Sequence, residues 1–154
     1  MVTLEMLAEC LDSIGLQFMA TIGLDGKPKV RPMQYMVIYD NKLWFCTNSK
    51  KLIFSELQQN PNLELCGSKL EKDPMLSQWI RFSAEAVFED NSVVKQMIIE
   101  KSSIVNQLYK DDVDNPIFKV FYLKNIKGSM NNNLGHVTGL KDKDGFQKPL
   151  DFEF

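Results

Sequence analysis

The sequence predicts a mainly β domain, an antiparallel Greek-key-like barrel with helices at its openings, on three observations. Two tight-turn pairs, Asp25-Gly26 and Asp40-Asn41, each join runs rich in β-formers. The run from Gln78 to Asp90 puts apolar residues at every second position from Ile80 to Phe88, with Arg81, Ser83 and Glu85 between them. Helical patterns then separate the later strands, so the chain returns to the sheet after each helix.

The elements follow in order. Leu4, Leu7, Ala8, Leu11 and Ile14 form one stripe, so residues 3–14 read as an amphipathic helix that Gly15 ends. Residues 16–24, 29–40 and 42–47 read as three strands in a meander. A helix starts at Ser49 as N-cap, with Leu52, Ile53 and Leu57 at helical spacing, and stops at Asn60-Pro61. Residues 62–68 give a fourth strand and residues 70–76 a solvated loop. In the fifth strand Ile80, Phe82, Ala84, Ala86 and Phe88 face the core, while Arg81, Ser83, Glu85 and Glu89 face away. Residues 92–101 and 103–110 read as helices, and residues 117–125 as the sixth strand. The folded domain is expected over residues 1–126. Residues 127–154, rich in Gly, Asn and Lys, are expected to form a tail that docks on the barrel or on a partner subunit through Phe146, Phe152 and Phe154.

Composition narrows the function. The 154 residues suffice for one core, and 44% hydrophobic with 25% charged residues is ordinary for a globular chain. The net charge of −2 and the dispersed lysines leave no electrostatic footprint for nucleic acid. No apolar run approaches the roughly 20 residues of a membrane span. Glu5, Glu9 and Asp12 interrupt the N-terminal helix, which excludes a secretory leader, so a cytoplasmic protein is expected. Cys10, Cys46 and Cys66 lack metal-ligand spacing and His136 is the single histidine, so no metal site and no disulfide framework are expected. The cysteines read as small buried residues.

Two stretches carry chemistry. Lys50 and Lys51 stand where a helix N-terminus is already positive, an arrangement that makes sense if an anion sits there. Thr47 and Ser49 add hydroxyl donors, and Asn48 tolerates the tight turn from strand to helix. The other reading is a solvent-facing lysine pair after an ordinary cap. The second stretch puts Pro32 inside a strand, which marks an edge or a bulge, beside Arg31, one of two arginines in the chain. A guanidinium fork suits a phosphate.

With these residues in place, "TIGLDGKPKVRPMQY", "LWFCTNSKK", "NPNLELCG" and "WIRFSAEAVF" resemble the FMN-binding split-barrel proteins related to pyridoxamine 5′-phosphate oxidase. The likeness is greatest to the nitroimidazole-resistance (NimC/NimA-like) flavoprotein branch. The resemblance spans about residues 4–125 and implies an antiparallel six-stranded split β-barrel, an FMN cofactor and a homodimer with flavins at its interface. It implies that Arg31 reaches the FMN phosphate while Pro32, Met33 and Gln34 run along the isoalloxazine edge. Cys46, Thr47 and Asn48 match an aromatic-Thr-Asn segment, with cysteine where tyrosine is common. Ser49, Lys50 and Lys51 match the phosphate-binding Ser-Arg-Lys, with lysine replacing arginine. Trp79 falls where the partner subunit contributes a residue beside the flavin; its other reading is a half-buried interface tryptophan.

Two departures limit what carries over. There is no arginine after Arg81, so the C-terminal Arg-x-His pair that holds a substrate phosphate in true pyridoxamine-phosphate oxidases is missing. No histidine precedes His136 either. The expected function is therefore an FMN-dependent oxidoreductase passing hydride from NAD(P)H to a small planar acceptor of nitro or quinone type. The alternative is an FMN- or haem-binding storage protein, with His136 as a candidate axial ligand. Flavin chemistry requires no protein nucleophile, and no residue is assigned as proton donor.

Overall fold

The computed structural model describes residues 2–73, 77–132 and 149–154. In chain order the elements are α1 (Leu4–Ile14), β1 (Gln17–Ile22), β2 (Pro28–Met33), β3 (Val37–Tyr39), β4 (Lys42–Asn48), α2 (Leu52–Gln59), β5 (Asn62–Lys69), β6 (Gln78–Phe88), α3 (Ser92–Lys101), α4 (Ser103–Tyr109), β7 (Phe118–Asn132) and β8 (Leu150–Glu153). The strands pair antiparallel in the order β2-β1-β5-β6-β7-β4-β3, with β8 on β7. The path is open between β2 and β3, which makes the sheet a split barrel. Among the described residues no helix is long and apolar enough to cross a membrane.

Both hairpin turns form as their sequences dictate. Asp40 and Asn41 take φ 50° and 53°, the left-handed pair of a two-residue hairpin turn, while Gly26 alone is left-handed, at φ 74°, in a longer turn that its N–H closes on the Gly23 carbonyl at 2.8 Å. The three-strand meander does not form. The run from Lys29 to Asp40 breaks into β2 and β3, which lie at opposite ends of the strand order. The cause is Gln17, a fully buried side chain that accepts the Tyr35 N–H at 2.8 Å and donates to the Leu11 and Gly15 carbonyls. Met36 N–H bonds to the Trp44 carbonyl at 3.0 Å, so residues 34–36 cross from one sheet edge to the other. Pro32 accordingly sits on an edge strand, where its missing N–H costs no ladder bond.

The described residues hold eight strands where the sequence suggested six: one from this break, and β8 from the C-terminal segment. β7 runs seven residues past its expected end at Asn125, crossing the boundary expected at residue 126. A bulge lets it continue. The register shifts between Ser83 and Glu85, and Asn125 absorbs the extra residue at φ 53°. Beyond the bulge Gly128 lies against β6, where a Cβ would stand 2.2 Å from the Arg81 carbonyl oxygen. β8 then packs Phe152 edge-on to Phe82, with ring centroids 6.1 Å apart.

Two apolar cores result. One fills the barrel and is capped by α1, with Leu7, Leu11, Met19, Leu65, Phe82 and Phe121 among its buried members. The other lies between the outer face of β3, β4 and β7 and helices α3 and α4, around Trp44, Val94, Ile98, Phe118 and Val120. β4 is therefore covered on both faces, which explains its nearly unbroken apolar run. Each fully buried side chain of this size contributes roughly 1.5–3 kcal/mol. Among the described residues nothing of the kind covers the outer face of β2, β1, β5 and β6: Val30 is 67% exposed and Phe18 45%, with Ile22, Pro32, Cys66 and Trp79 also exposed there. Cys66 is thus not the buried residue expected from the sequence.

Candidate functional site

The site is built where β4 turns into α2. Helix α2 begins at Leu52 and not beside Ser49: its N-cap is Lys51, which makes no side-chain cap bond. Asn48 explains the shift. Its side-chain oxygen accepts the Lys50 N–H at 2.8 Å, and its carbonyl accepts the Lys51 N–H at 2.9 Å, forming a closed turn ahead of the helix. Ser49 N–H is committed to the Ile117 carbonyl at 2.9 Å. Ser49, Lys50 and Lys51 therefore present side chains, while the first turn of α2 supplies the backbone N–H groups that a helix leaves without intrahelical partners.

Three features give this turn an appetite for an anion. The first turn of α2 contains no acidic residue. Lys50 and Lys51 are exposed, and neither forms an ion pair among the described residues. Thr47 is only 5% exposed, and its hydroxyl oxygen has no hydrogen-bond partner. A buried hydroxyl without a partner costs about 1–3 kcal/mol, so a ligand that satisfies it recovers that free energy. Beside it, burial pushes the Cys46 thiol up to about 12 despite the pull of the Lys51 ammonium, so Cys46 is neutral near pH 7 and no nucleophile. Tyr109, from the end of α4, donates to the Thr47 carbonyl at 3.4 Å; burial, and then the neighbouring Cys46, raise its phenol.

Arg31 approaches α2 from the other sheet edge. On β2 the residues Lys29, Arg31 and Met33 turn toward the barrel, whereas Val30 and Pro32 are exposed, as is Gln34 just after the strand. The guanidinium donates to the Glu56 carboxylate of α2 at 2.6 Å and to the Thr21 hydroxyl at 2.7 Å. Helix α2, packed on both β1 and β4, thus bridges the open side of the barrel and joins Arg31 to the element that starts at Lys51.

Trp79 is not part of this grouping within one chain. It pairs with Ser68 and Asn131, whereas Thr47 pairs with Lys119, and twelve residues of β7, roughly 40 Å of strand at about 3.3 Å each, separate the two. His136 and Phe146 lie outside the described residues, and among those described no cluster of His, Cys, Asp or Glu could hold a metal.

Glu56, Thr21 and Tyr109 are the participants that sequence reasoning missed. A signal exists for the first two. Glu56 falls on the apolar stripe of α2 between Ile53 and Leu57, and Thr21 occupies an inward position of β1, and a polar residue on a core-facing position requires a partner.

Comparison with known proteins places the fold. The family model described as pyridoxamine 5′-phosphate oxidase matches residues 4–127. A NimC/NimA family protein from Clostridium acetobutylicum is 27% identical, with a TM-score of 0.76 over 97% of this chain and 92% of that one. The haem storage protein from Vibrio cholerae is similar in fold at 18% identity, with a TM-score of 0.57 over 80% and 89% of the two chains. A haem-binding protein from Mycobacterium smegmatis is 13% identical, with a TM-score of 0.62 over 95% of this chain and 56% of that one. No curated protein sequence matches the chain.

Proposed function

The chain belongs to the pyridoxamine 5′-phosphate oxidase family, and from that premise we propose that it binds FMN non-covalently and serves as an oxidoreductase. The FMN phosphate sits at the start of α2, held by Ser49, Lys50, Lys51, the Thr47 hydroxyl and the remaining N–H groups of Arg31. The observation that carries this reading is the orphaned Thr47 hydroxyl beneath a helix N-terminus with two unpaired lysines and no carboxylate. An arginine has five N–H donors, and the bonds to Glu56 and Thr21 use two of them. Pro32, Met33 and Gln34 then pass along the flavin ring, with Cys46 and Asn48 flanking the turn.

When bound, FMN supplies the hydride chemistry, taking hydride from NAD(P)H and delivering it to a small planar acceptor of nitro or quinone type. The residues of the chain bind and orient it and leave one face open. The exposed apolar face of β1, β2, β5 and β6 supports a homodimer, and Trp79 would then meet the flavin of the partner subunit.

The alternative, an FMN- or haem-binding storage protein, draws on the names of the Vibrio and Mycobacterium structures. Absorbance of the purified protein separates the readings. Flavin bands that bleach on adding NADH or NADPH, and recover with a quinone or nitroaromatic, support the oxidoreductase. A Soret band after haem addition, with no flavin bands under any loading, refutes it.

A further inference from the structure

Arg31, Glu56 and Thr21 form a closed three-membered network. Thr21 Oγ1 donates to Glu56 Oε2 at 2.7 Å and accepts from one terminal nitrogen of Arg31 at 2.7 Å. The other terminal nitrogen of Arg31 reaches the same Glu56 oxygen at 2.6 Å. Glu56 is 2% exposed and Thr21 3%, while the Arg31 side chain keeps 22% of its surface open. Two members of the network are sealed in, and the third is buried on one side and open on the other. Such a buried pair is a weak source of net stability, because desolvation offsets most of the attraction. What it does supply is a fixed position for the fork.

The direction of that fork follows from helix geometry. Glu56 lies five residues after the Lys51 N-cap, about 7.5 Å along the axis at about 1.5 Å per residue. Helical side chains lean toward the N-terminus, so the Glu56 carboxylate reaches back toward the turn that carries Ser49, Lys50 and Lys51. The arginine it grips comes from β2, an edge strand whose only neighbour in the sheet is β1. Without this grip nothing else among the described residues ties the Arg31 guanidinium to α2.

We infer that Glu56 is a positioning residue for cofactor-phosphate binding: with Thr21 it occupies one side of the Arg31 fork and aims the remaining N–H groups at the anion site. The inference rests on the FMN reading above and adds to it the group that makes Arg31 a preorganised ligand. A carboxylate so placed holds through hydrogen bonds as well as charge, so a glutamine, which keeps an acceptor oxygen, should substitute for it.

The test compares FMN with riboflavin, which lacks the phosphate, by flavin fluorescence quenching on apoprotein carrying Glu56→Ala, Glu56→Gln or Thr21→Val. Glu56→Ala is expected to lose about tenfold or more in FMN affinity, the effect of misdirecting one charge-assisted hydrogen bond, with riboflavin affinity unchanged. Thr21→Val, nearly isosteric, should move FMN affinity the same way by a smaller factor, and Glu56→Gln should restore it. An equal loss for both flavins would mean a merely structural role and overturn the inference. So would tighter FMN binding by Glu56→Ala, since Glu56 would then be a competitor for Arg31. If Glu56→Ala fails to fold, the Thr21→Val and Glu56→Gln pair decides on the same criterion. A wild-type protein with no preference for FMN over riboflavin overturns the phosphate site itself, a result distinguishable from the others.

Discussion

Tyr109 and Thr47 are joined across two elements that the sequence keeps sixty-two residues apart: the phenol hydroxyl of α4 donates to the Thr47 carbonyl at 3.4 Å. The Tyr109 ring stacks on Phe118 with centroids 4.2 Å apart, and the residue before Phe118 accepts the Ser49 N–H. The second core, outside the barrel, therefore underpins the turn from Asn48 to Lys51. Replacing Tyr109 by Phe keeps the stack and removes one long hydrogen bond, so the expected loss of stability is about 0.5–1.5 kcal/mol. Tyr109→Ala removes the ring as well and should cost about 3–5 kcal/mol. Urea denaturation of both variants checks the ratio; equal losses would show that the stack contributes nothing.

The paired lysines give a sharper prediction. Changing Lys50 and Lys51 together to alanine should weaken FMN by about 2–4 kcal/mol, taking charged hydrogen bonds at about 1.5–3 kcal/mol each with imperfect additivity. The wild-type affinity should also fall with salt more steeply than that of the variant, because exposed cations are screened. A flavin titration at two ionic strengths measures both effects. An unaltered affinity removes the lysines from the site.

Alkaline pH should destabilise the fold, and the sign follows from Cys46. Its thiol is raised from an ordinary 9.0 to about 12 by burial, so the proton is held more tightly in the folded state. That contribution is fully present below pH 9 and is lost as pH rises toward 12, because the unfolded chain binds fewer protons in that window. The expected slope from Cys46 is at most about 1.4 kcal/mol per pH unit. Tyr35, raised from 10.0 to about 12 by burial and by the nearby Asp12, adds to it at higher pH. Cys46→Ala should be less stable at pH 8 yet show a flatter decline above pH 9. Parallel declines in the two proteins would refute the assignment.

How much of this was legible in the sequence depends on whether the deciding interaction is local. The turns at Gly26 and Asp40-Asn41, the stripe of α1 and the alternation of β6 are set by residues within a few positions of one another, and they appear as read. The separation of β2 from β3 is set by Gln17, eighteen residues before Tyr35, and no local pattern reports it. The α2 start moved by two residues because Asn48 closes a turn of its own on the Lys50 and Lys51 N–H groups, which leaves Ser49 ahead of the helix and Lys51 as an N-cap without a side-chain bond. Arg31 was singled out for a phosphate, and its inward position on β2 follows from alternation. Its grip by Glu56 required knowing that α2 closes the open side of the barrel.

The uncovered sheet face predicts association. Phe18 lies between Pro32 and Cys66 in the strand register, and Val30 neighbours Ala20, which gives an apolar surface on β2 and β1 that reaches Cys66 and is bordered on β5 by Glu64, the partner of Ala20. Phe18→Glu with Val30→Glu should convert a homodimer to a folded monomer, because two buried unpaired carboxylates are costly. Alkylation of Cys66 should be slow in the wild type and fast in that variant. Light scattering that finds the wild type monomeric at micromolar concentration with FMN bound would refute the dimer.

The last prediction concerns the acceptor. A phosphorylated substrate such as pyridoxine 5′-phosphate requires its own cations, since burying an unpaired dianion costs many kcal/mol. The chain has two arginines. Arg31 is committed to Glu56 and Thr21, while Arg81 stands on the outer face of β6 with its side chain 70% exposed, paired to Glu64 at 2.9 Å. Lys124 pairs with Glu85 and Lys127 with Glu153, so two of the three lysines of β7 already have carboxylate partners. Neutral acceptors face no such deficit, and a carbonyl or nitro oxygen requires only one or two donors. The holoprotein should therefore reduce quinones and nitroaromatics with NAD(P)H and should not turn over pyridoxine 5′-phosphate under oxygen. The two assays run side by side decide the matter: robust formation of pyridoxal phosphate with no acceptor reduction would reverse the assignment.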